Sequence, residues 1–373
     1  MHVALLTRRY DRSGGGTERD LVITADCLER AGHRVTVFAA EVRGDRDQKK
    51  LRFVKTPPIG RALKLWRFAH LAPGMARREG ADLIVSFART IGADVMRSGG
   101  GAHASYVQAA RRWQGMLGAS AMRVSPYHRM QMLIERRAFA SQRLKLTIAV
   151  AEVVRRDLIG RFGLRPDKVE TLYNGVDTER FHPAAANDER ARIQRELNLP
   201  NSAPVVIFVG NGFARKGLGF MLEAWPQLKS GACLIVAGSD RGRARYEDKA
   251  LALNIAERVR FIGARGDVAE LLRAADVLAL PSMFEPFGNV VLEAMASGIK
   301  VVVSMQSGVA ELLPEDLKRF AIRDPSDPGE IAHRIGEIIK APDEIGRKSR
   351  AVAESHSWDR YGEKLVRMLE SIT

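Results

Sequence analysis

The chain has 373 residues, too many for one ordinary hydrophobic core and suited to two domains of about 150–200 residues each. Its 46% hydrophobic and 28% charged content excludes a disordered chain, and no run of 18 apolar residues offers a membrane span. The formal charge is +15, and residues 51–150 hold 17 Lys/Arg against 4 Asp/Glu, so one segment carries nearly the whole positive field. HVALLT (2–7) then reads as a buried strand, SGGG (13–16) as a turn, and TERDLVITADCLERAG (17–32) as a helix. In that helix Leu21, Val22, Ala25 and Leu28 fall at helical spacing, and Gly32 is a plausible stop. RVTVFAA (34–40) is a second strand, and strand–turn–helix–strand order predicts a parallel sheet. DLIVSFA (82–88), the stretch near Asp94–Arg97 and LKLTIAV (144–150) are further strands.

YNGVD (173–177), followed by Pro183 and an alanine- and charge-rich stretch, reads as an interdomain link. Five apolar runs follow: PVVIFVGN (204–211), ACLIVAGSD (232–240), RVRFIGA (258–264), DVLALPS (276–282) and KVVVS (300–304). Continuous apolar strands separated by helical patterns suit a sheet covered on both faces. The fold class expected is α/β: two doubly wound Rossmann-like domains facing each other across a cleft, residues 1–172 and 173–356. SWDRYGEKLVRMLESI (357–372) is an amphipathic helix. MHVALLTRRYDR carries too few apolar residues before its charges for a signal peptide, and Cys27 and Cys233 lie in apolar contexts. A cytoplasmic protein is expected.

Doubly wound sheets bind ligands at the carboxyl ends of their strands, often at helix N-termini. Three loops meet that description. SGGG with Thr17 and Glu18 lets backbone N–H groups approach a phosphate or sugar, but it is not GxGxxG, which argues against a nicotinamide-dependent oxidoreductase. GNGFARKG (210–217) places Arg215 as a fork and Lys216 as a point charge at a strand-to-helix turn, a grip for a diphosphate, although it can equally be an exposed basic turn. EPFGNVVLE (285–293) sets Glu285 before a helix start near Gly288 and Glu293 four residues after Asn289. Phosphates on Arg215, Lys216 and the helix amides, with hydroxyls on the two carboxylates, describe a nucleotide-sugar. The bland alternative is a helix-capping Glu285 and a surface Glu293. Asp45-Arg46-Asp47 spells D-x-D but lies in a polar loop away from the strand ends, so a solvated loop is expected and no metal is required.

EPFGNVVLE resembles the E-x7-E motif of the family 4 retaining glycosyltransferases, which have the GT-B fold. LERAGHRVTVFA, YNGVDTERF, FVGNGFARKG, FIGARGDVAELLRAADVLALPS and the terminal SWDRY helix resemble that family in order and spacing, over essentially the whole chain. SGGGTERD, GADVMRSGGGAH (92–103) and the basic segment after it are most similar to the lipopolysaccharide core glucosyltransferase I group.

The resemblance implies roles. Glu285 would contact donor-sugar hydroxyls and Glu293 the ribose, while Arg215 and Lys216 hold the diphosphate. The backbone of Phe287, Gly288, Asn289 and Val290 would serve phosphate and sugar, and Arg265 and Gly266 would border the base. Gly15 and Gly16 would lie over the phosphates and the reacting sugar. His103 would be a catalytic contact near that sugar, beside Gly99-Gly100-Gly101, where some relatives carry an aspartate. Asp20 and Asp94 are acceptor-side candidates. The terminal helix 357–373 would pack back on the first domain, the cleft would close about hinges near 173–177 and 355–358, and no cofactor would be needed beyond the donor. Front-face attack, with a phosphate oxygen taking the acceptor proton, would retain the anomeric configuration.

The implied activity is transfer of a hexose, glucose by the subgroup, from a UDP-sugar to a lipid-linked saccharide of lipopolysaccharide-core type. A phospholipid or exopolysaccharide-precursor acceptor, or a GDP-sugar donor, is the alternative within the family. Residues 104–140 mix Arg111, Arg112, Arg123, Arg129, Arg136 and Arg137 with Trp113, Met116, Leu117, Tyr127 and Met132, which suits a helix lying on an anionic membrane surface. The partners expected are therefore a nucleotide-sugar, a lipid-linked acceptor and, through residues 51–150, the inner face of the cytoplasmic membrane. No nucleic acid is expected, because nucleic-acid binding leaves Glu285, Glu293 and the Arg215–Lys216 turn unexplained.

Overall fold

The computed structural model describes residues 1–11, 15–43, 50–56, 60–184, 188–200 and 202–373. The chain divides into two units: Met1–Arg111, Gly115–Asn174 and Trp358–Thr373 form the first, Arg112–Gln114 and Gly175–Ser357 the second. Each is built on one parallel sheet.

In the first unit, β1 (His2–Asp11), β2 (Arg34–Arg43), β3 (Leu51–Phe53), β4 (Leu83–Ser86), β5 (Val95–Ser98), β6 (Leu146–Ala149) and β7 (Val169–Thr171) lie in the order β3-β2-β1-β4-β5-β6-β7. In the second, β8 (Val205–Val209), β9 (Cys233–Ala237), β10 (Val259–Gly263), β11 (Val277–Leu280) and β12 (Lys300–Val303) run β10-β9-β8-β11-β12. Residues VVIFV, CLIVA, VLAL and KVVV are buried throughout, because helices cover both faces of the sheet. Strand order reverses between β1 and β4 in one sheet and between β8 and β11 in the other. Such switch points leave a crevice at the carboxyl ends of the strands.

The strands expected from apolar runs are present; β1 and β2 run on past their apolar residues, whereas β4, β6 and β8 to β12 are shorter than the runs that announced them. The structure adds β3 and β7, the two edges of the first sheet. Their sequences, LRF and VET, are short and half polar, as suits strands with one side unpaired.

The helix Trp358–Glu370 belongs to the first unit. Tyr361, Leu365, Met368 and Leu369 stand at one-face spacing and are buried in a cluster with Leu21 and Leu28 of the helix Thr17–Arg30. Burying side chains of this size is worth about 1.5–3 kcal/mol each. The hydroxyls of Thr24 and Tyr361 meet at 3.2 Å. A Cβ at Gly362 would stand 2.4 Å from Cys27 Sγ, so only glycine lets the two helices come this close. No helix among the described residues is long and apolar enough to cross a membrane.

Candidate active site

The second unit's switch point is assembled from three loops. β8 ends at Val209, and Gly210 follows with φ 143°, its N–H donating to Ala237 O at 2.9 Å. A Cβ on Gly238, at the end of β9, would lie 2.3 Å from Gly210 O, so the two glycines set the spacing of the loops. Asp240 accepts from the N–H of Phe213 at 2.8 Å and so pins the loop that carries Arg215 and Lys216. Phe213 is buried edge-on against Phe208 and Tyr246 and anchors the same loop from below. Gly217 then turns into a helix with φ 80°, where a Cβ would sit 2.0 Å from Pro281 O.

The segment after β11 meets this loop directly. Met283 N donates to Arg215 O at 2.8 Å, and Arg215 Nη1 donates to Phe284 O at 2.7 Å. Glu285 Oε2 accepts from Lys216 Nζ at 2.7 Å and from Arg215 Nη1 at 3.1 Å. Burial alone would raise the Glu285 carboxyl, but the Lys216 and Arg215 charges outweigh it and hold it below the usual carboxylate range. Two cations thus converge on one carboxylate oxygen at the strand ends.

Glu285 is fixed on its other side by Gly308 N, which donates to its carbonyl at 3.1 Å, while Val309 N donates to Phe287 O at 3.0 Å. Gly288, at φ 107°, opens the helix Asn289–Ala296, so the start expected there is present. Glu293 is only 7% exposed, which removes the surface-residue alternative for it. Arg215, Lys216, Glu285, Phe287, Gly288, Asn289, Val290 and Glu293 therefore share one end of one sheet.

Other expected residues stand elsewhere. Arg265 follows β10 at the sheet's edge, and its fork is taken by Asp267 (2.8 and 2.6 Å) and Glu196 (2.7 Å). Those carboxylates raise its already high pKa. Gly266 O accepts from Arg180 at 3.4 Å. Ser13 and Gly14 of the first glycine turn lie outside the described residues, as do Asp45-Arg46-Asp47; Gly15 is exposed and Gly16, at φ 61°, precedes the helix Thr17–Arg30. Among the described residues no cluster of His, Cys, Asp and Glu has metal-site geometry.

Both acceptor-side candidates, Asp94 and Asp20, are engaged within the first unit. Asp94 stands at the amino end of β5, the edge opposite the strand ends that build sites. Its carboxylate accepts from Ile84 N at 2.9 Å and Arg77 Nη2 at 3.2 Å, a latch between strands. Asp20 is buried and accepts from Asn174 Nδ2 at 3.2 Å, while Asn174 in turn accepts from Arg97. Asp20 thus fastens the YNGVD segment.

His103 opens the helix His103–Ala109 beyond the carboxyl end of β5. Its N–H donates to both oxygens of buried Glu135, at 2.9 and 3.0 Å, and Arg89 Nε donates to Glu135 at 2.8 Å. His103 Nε2 meets His128 Nδ1 at 2.9 Å with the rings stacked. Burial, then Arg89 and His128, push the His103 imidazole down to about 3, so it is neutral at physiological pH. Glu135, Arg89, His128 and Asp240 escaped the sequence reading, since each acts through a partner at least 25 residues away.

Residues 189–364 match the family model described as glycosyl transferases group 1, and residues 14–180 match that of glycosyltransferase family 4. Each half of the chain thus matches a glycosyltransferase family model, and the two matches together span most of its length. It is 29% identical over 227 residues to an uncharacterised glycosyltransferase of Methanocaldococcus jannaschii, covering 59% of this chain and 58% of the relative. It is 25% identical over 322 residues to the lipopolysaccharide glucosyltransferase WaaG of Escherichia coli, covering 83% and 82%. The match to the first relatives spans about half of their own length. A crystal structure of WaaG, a glycosyltransferase involved in lipopolysaccharide biosynthesis, superposes with a TM-score of 0.82 at 22% identity over 98% of this chain and 99% of that one. HepE of Anabaena, solved with UDP-glucose, gives 0.75 at 19% identity with both chains fully covered. These likenesses show a GT-B fold of two Rossmann-like domains.

Proposed function

We propose that this chain is a retaining hexosyltransferase that moves glucose from a UDP-sugar to a hydroxyl of a lipid-linked saccharide of lipopolysaccharide-core type. The observation that carries the reading is the sharing of Glu285 Oε2 by Lys216 and Arg215 at a switch point. The two converging cations suit a diphosphate, and the amide end of the helix Asn289–Ala296 adds to them. Glu285 and Glu293 are the hydroxyl acceptors for sugar and ribose. Arg265 and Gly266 border the base, and His103 and the Gly15–Gly16 turn are the residues whose substitution should be tested for effects on turnover. Similarity to WaaG supports the acceptor class, and HepE, solved with UDP-glucose, supports the donor.

In the proposed reaction the acceptor hydroxyl attacks on the face the diphosphate leaves. A phosphate oxygen takes its proton, and Arg215 and Lys216 stabilise the charge growing on the leaving group. Those two cations supply the charge that a divalent metal would otherwise bring, so turnover should withstand EDTA.

The kinked helix Arg111–Val124 supports a peripheral membrane location at the inner leaflet. Gly115 breaks it at φ 68°, and Met116 (71%), Leu117 (88%) and Val124 (72%) are exposed beside Arg111 and Arg123.

Thermal unfolding against UDP, GDP, ADP, NAD and buffer, without added metal, tests the donor. A ligand at 100 times its Kd adds about 2.7 kcal/mol, a shift of several degrees. A response to UDP alone is expected; a response to GDP or ADP replaces the donor, and none to any nucleoside diphosphate ends the reading. Anomeric analysis of the product tests retention.

A further inference from the structure

The dipeptide Asn-Gly occurs twice, at 174–175 and at 211–212. In this pair a backbone nitrogen readily reaches the side-chain amide before it, because glycine has no Cβ to block the approach and takes turned backbone freely. The fold treats the two copies differently. Asn174 is 3% exposed; its Nδ2 donates to Asp20 at 3.2 Å and its Oδ1 accepts from Arg97, so both ends of that amide are held in the interior. Asn211 and Gly212 are exposed, in the loop that carries Arg215 and Lys216.

At Asn211 the contacts favour reaction. Ser239 donates to Oδ1 from its N–H at 2.8 Å and from its hydroxyl at 3.4 Å. These donors hold the carboxamide and stand where negative charge grows when a nucleophile adds to Cγ. The Gly212 N–H, which supplies the nucleophile, has no partner among the described residues. Gly212 itself sits at φ 75°, so the peptide is already turned.

We propose that Asn211 is a deamidation site whose product shuts down donor binding. The Gly212 nitrogen gives up its proton to solvent base and bonds to Asn211 Cγ. The Cγ–Nδ2 bond breaks, and ammonia departs with a proton returned by water. Water then opens the cyclic imide. Breaking the imide bond to Cγ gives aspartate; breaking the bond to the main-chain carbonyl gives isoaspartate, whose backbone runs through Cβ and Cγ. Either way a neutral amide becomes a carboxylate, and water is the only co-reactant.

The place of the new charge gives the reaction its effect. A Cβ on Gly212 would lie 4.0 Å from Arg215 Nε, and Lys216 N donates to Gly212 O at 3.1 Å. A carboxylate at 211 competes for the guanidinium assigned to the diphosphate and repels the diphosphate itself. Isoaspartate also adds a backbone carbon between Gly210, tied to Ala237 O, and Phe213, tied to Asp240, so the loop between must buckle. The modification stands on the geometry alone; its consequence rests on the transferase reading. Each molecule thereby loses donor affinity with age.

The test is peptide mapping of the full chain during incubation at mildly alkaline pH, with the UDP thermal shift read on the same samples. Isoaspartate, with some aspartate, should accumulate at 211 while Asn174 stays intact, and the UDP shift should decay with the same time course. Asn211→Gln, whose longer side chain disfavours the ring, should keep its shift throughout. Asn211→Asp should bind UDP about tenfold more weakly from the start while melting near the native midpoint without ligand, which shows that it is folded. An intact Asn211, or equal loss at Asn174, overturns the proposal. Aspartate without isoaspartate marks direct hydrolysis and overturns it too, as does deamidation at 211 with an undiminished UDP shift. Fresh chain that shows no UDP shift fails the donor reading instead, and the mapping still decides the modification.

Discussion

Lys216 Nζ lies 2.7 Å from Glu285 Oε2 although 69 residues separate them, and each is among the more deeply buried charges of the second unit. The pair closes the loop after β8 onto the segment after β11. It fixes the side chains that the proposed reaction needs before any substrate arrives.

Removing one partner of a buried pair strands the other. Glu285→Ala should cost about 3–5 kcal/mol in urea unfolding, and Glu285→Gln less. The carboxyl is held below its ordinary 4.5 in the folded chain, so its stabilisation is present above that value and lost as pH falls through the folded one. The gap between the native chain and Glu285→Gln should shrink below about pH 4.5; a gap flat with pH refutes the pairing.

Arg215→Ala and Lys216→Ala should each raise the barrier by about 2.7–4 kcal/mol, seen as a fall in kcat of two to three orders of magnitude. A folded variant with near-normal kcat/KM would remove both residues from the mechanism.

His103 has an ordinary pKa of 6.5 and a folded value of about 3. Between these the unfolded chain binds a proton that the folded chain refuses, so stability falls as pH drops through that window, by at most about 1.4 kcal/mol per unit. His103→Gln should remove that slope. An unchanged slope in a paired pH series would mean that the imidazole is protonated in the folded protein.

Met116→Glu with Leu117→Glu should abolish sedimentation with anionic vesicles, each buried apolar side chain being worth about 1.5–3 kcal/mol. The native chain should bind at low salt and release at high salt, and a chain that ignores low-salt vesicles would end the membrane proposal.

Asp94→Ala strips two donors of their acceptor and should cost about 1–3 kcal/mol of stability while leaving KM for both substrates unchanged. A selective rise in acceptor KM would restore Asp94 to the site.

Much of this architecture was legible because buried parallel strands must be apolar along their length. Runs such as VVIFV and KVVV announce themselves, and glycines mark the turns at 210, 217 and 288. The edges β3 and β7 were illegible for the converse reason: an edge strand needs no apolar run. At the site, local pattern located Arg215, Lys216 and Glu285 but not that they bond to one another. Asp94 and Glu135 show the limit most clearly. Both are lone acids in a basic segment, and which one latches strands and which one holds His103 depends on contacts the sequence does not display.

The helix Trp358–Glu370 has a temporal consequence. The residues that cover the first unit's apolar face over Leu21 and Leu28 leave the ribosome some 330 positions after that face does. At about 5–20 residues per second, that face waits tens of seconds for its lid. Throughout that interval the nascent chain carries an uncovered apolar strip, a natural landing place for a chaperone, and a message truncated before the codon for Trp358 would leave the strip bare for good.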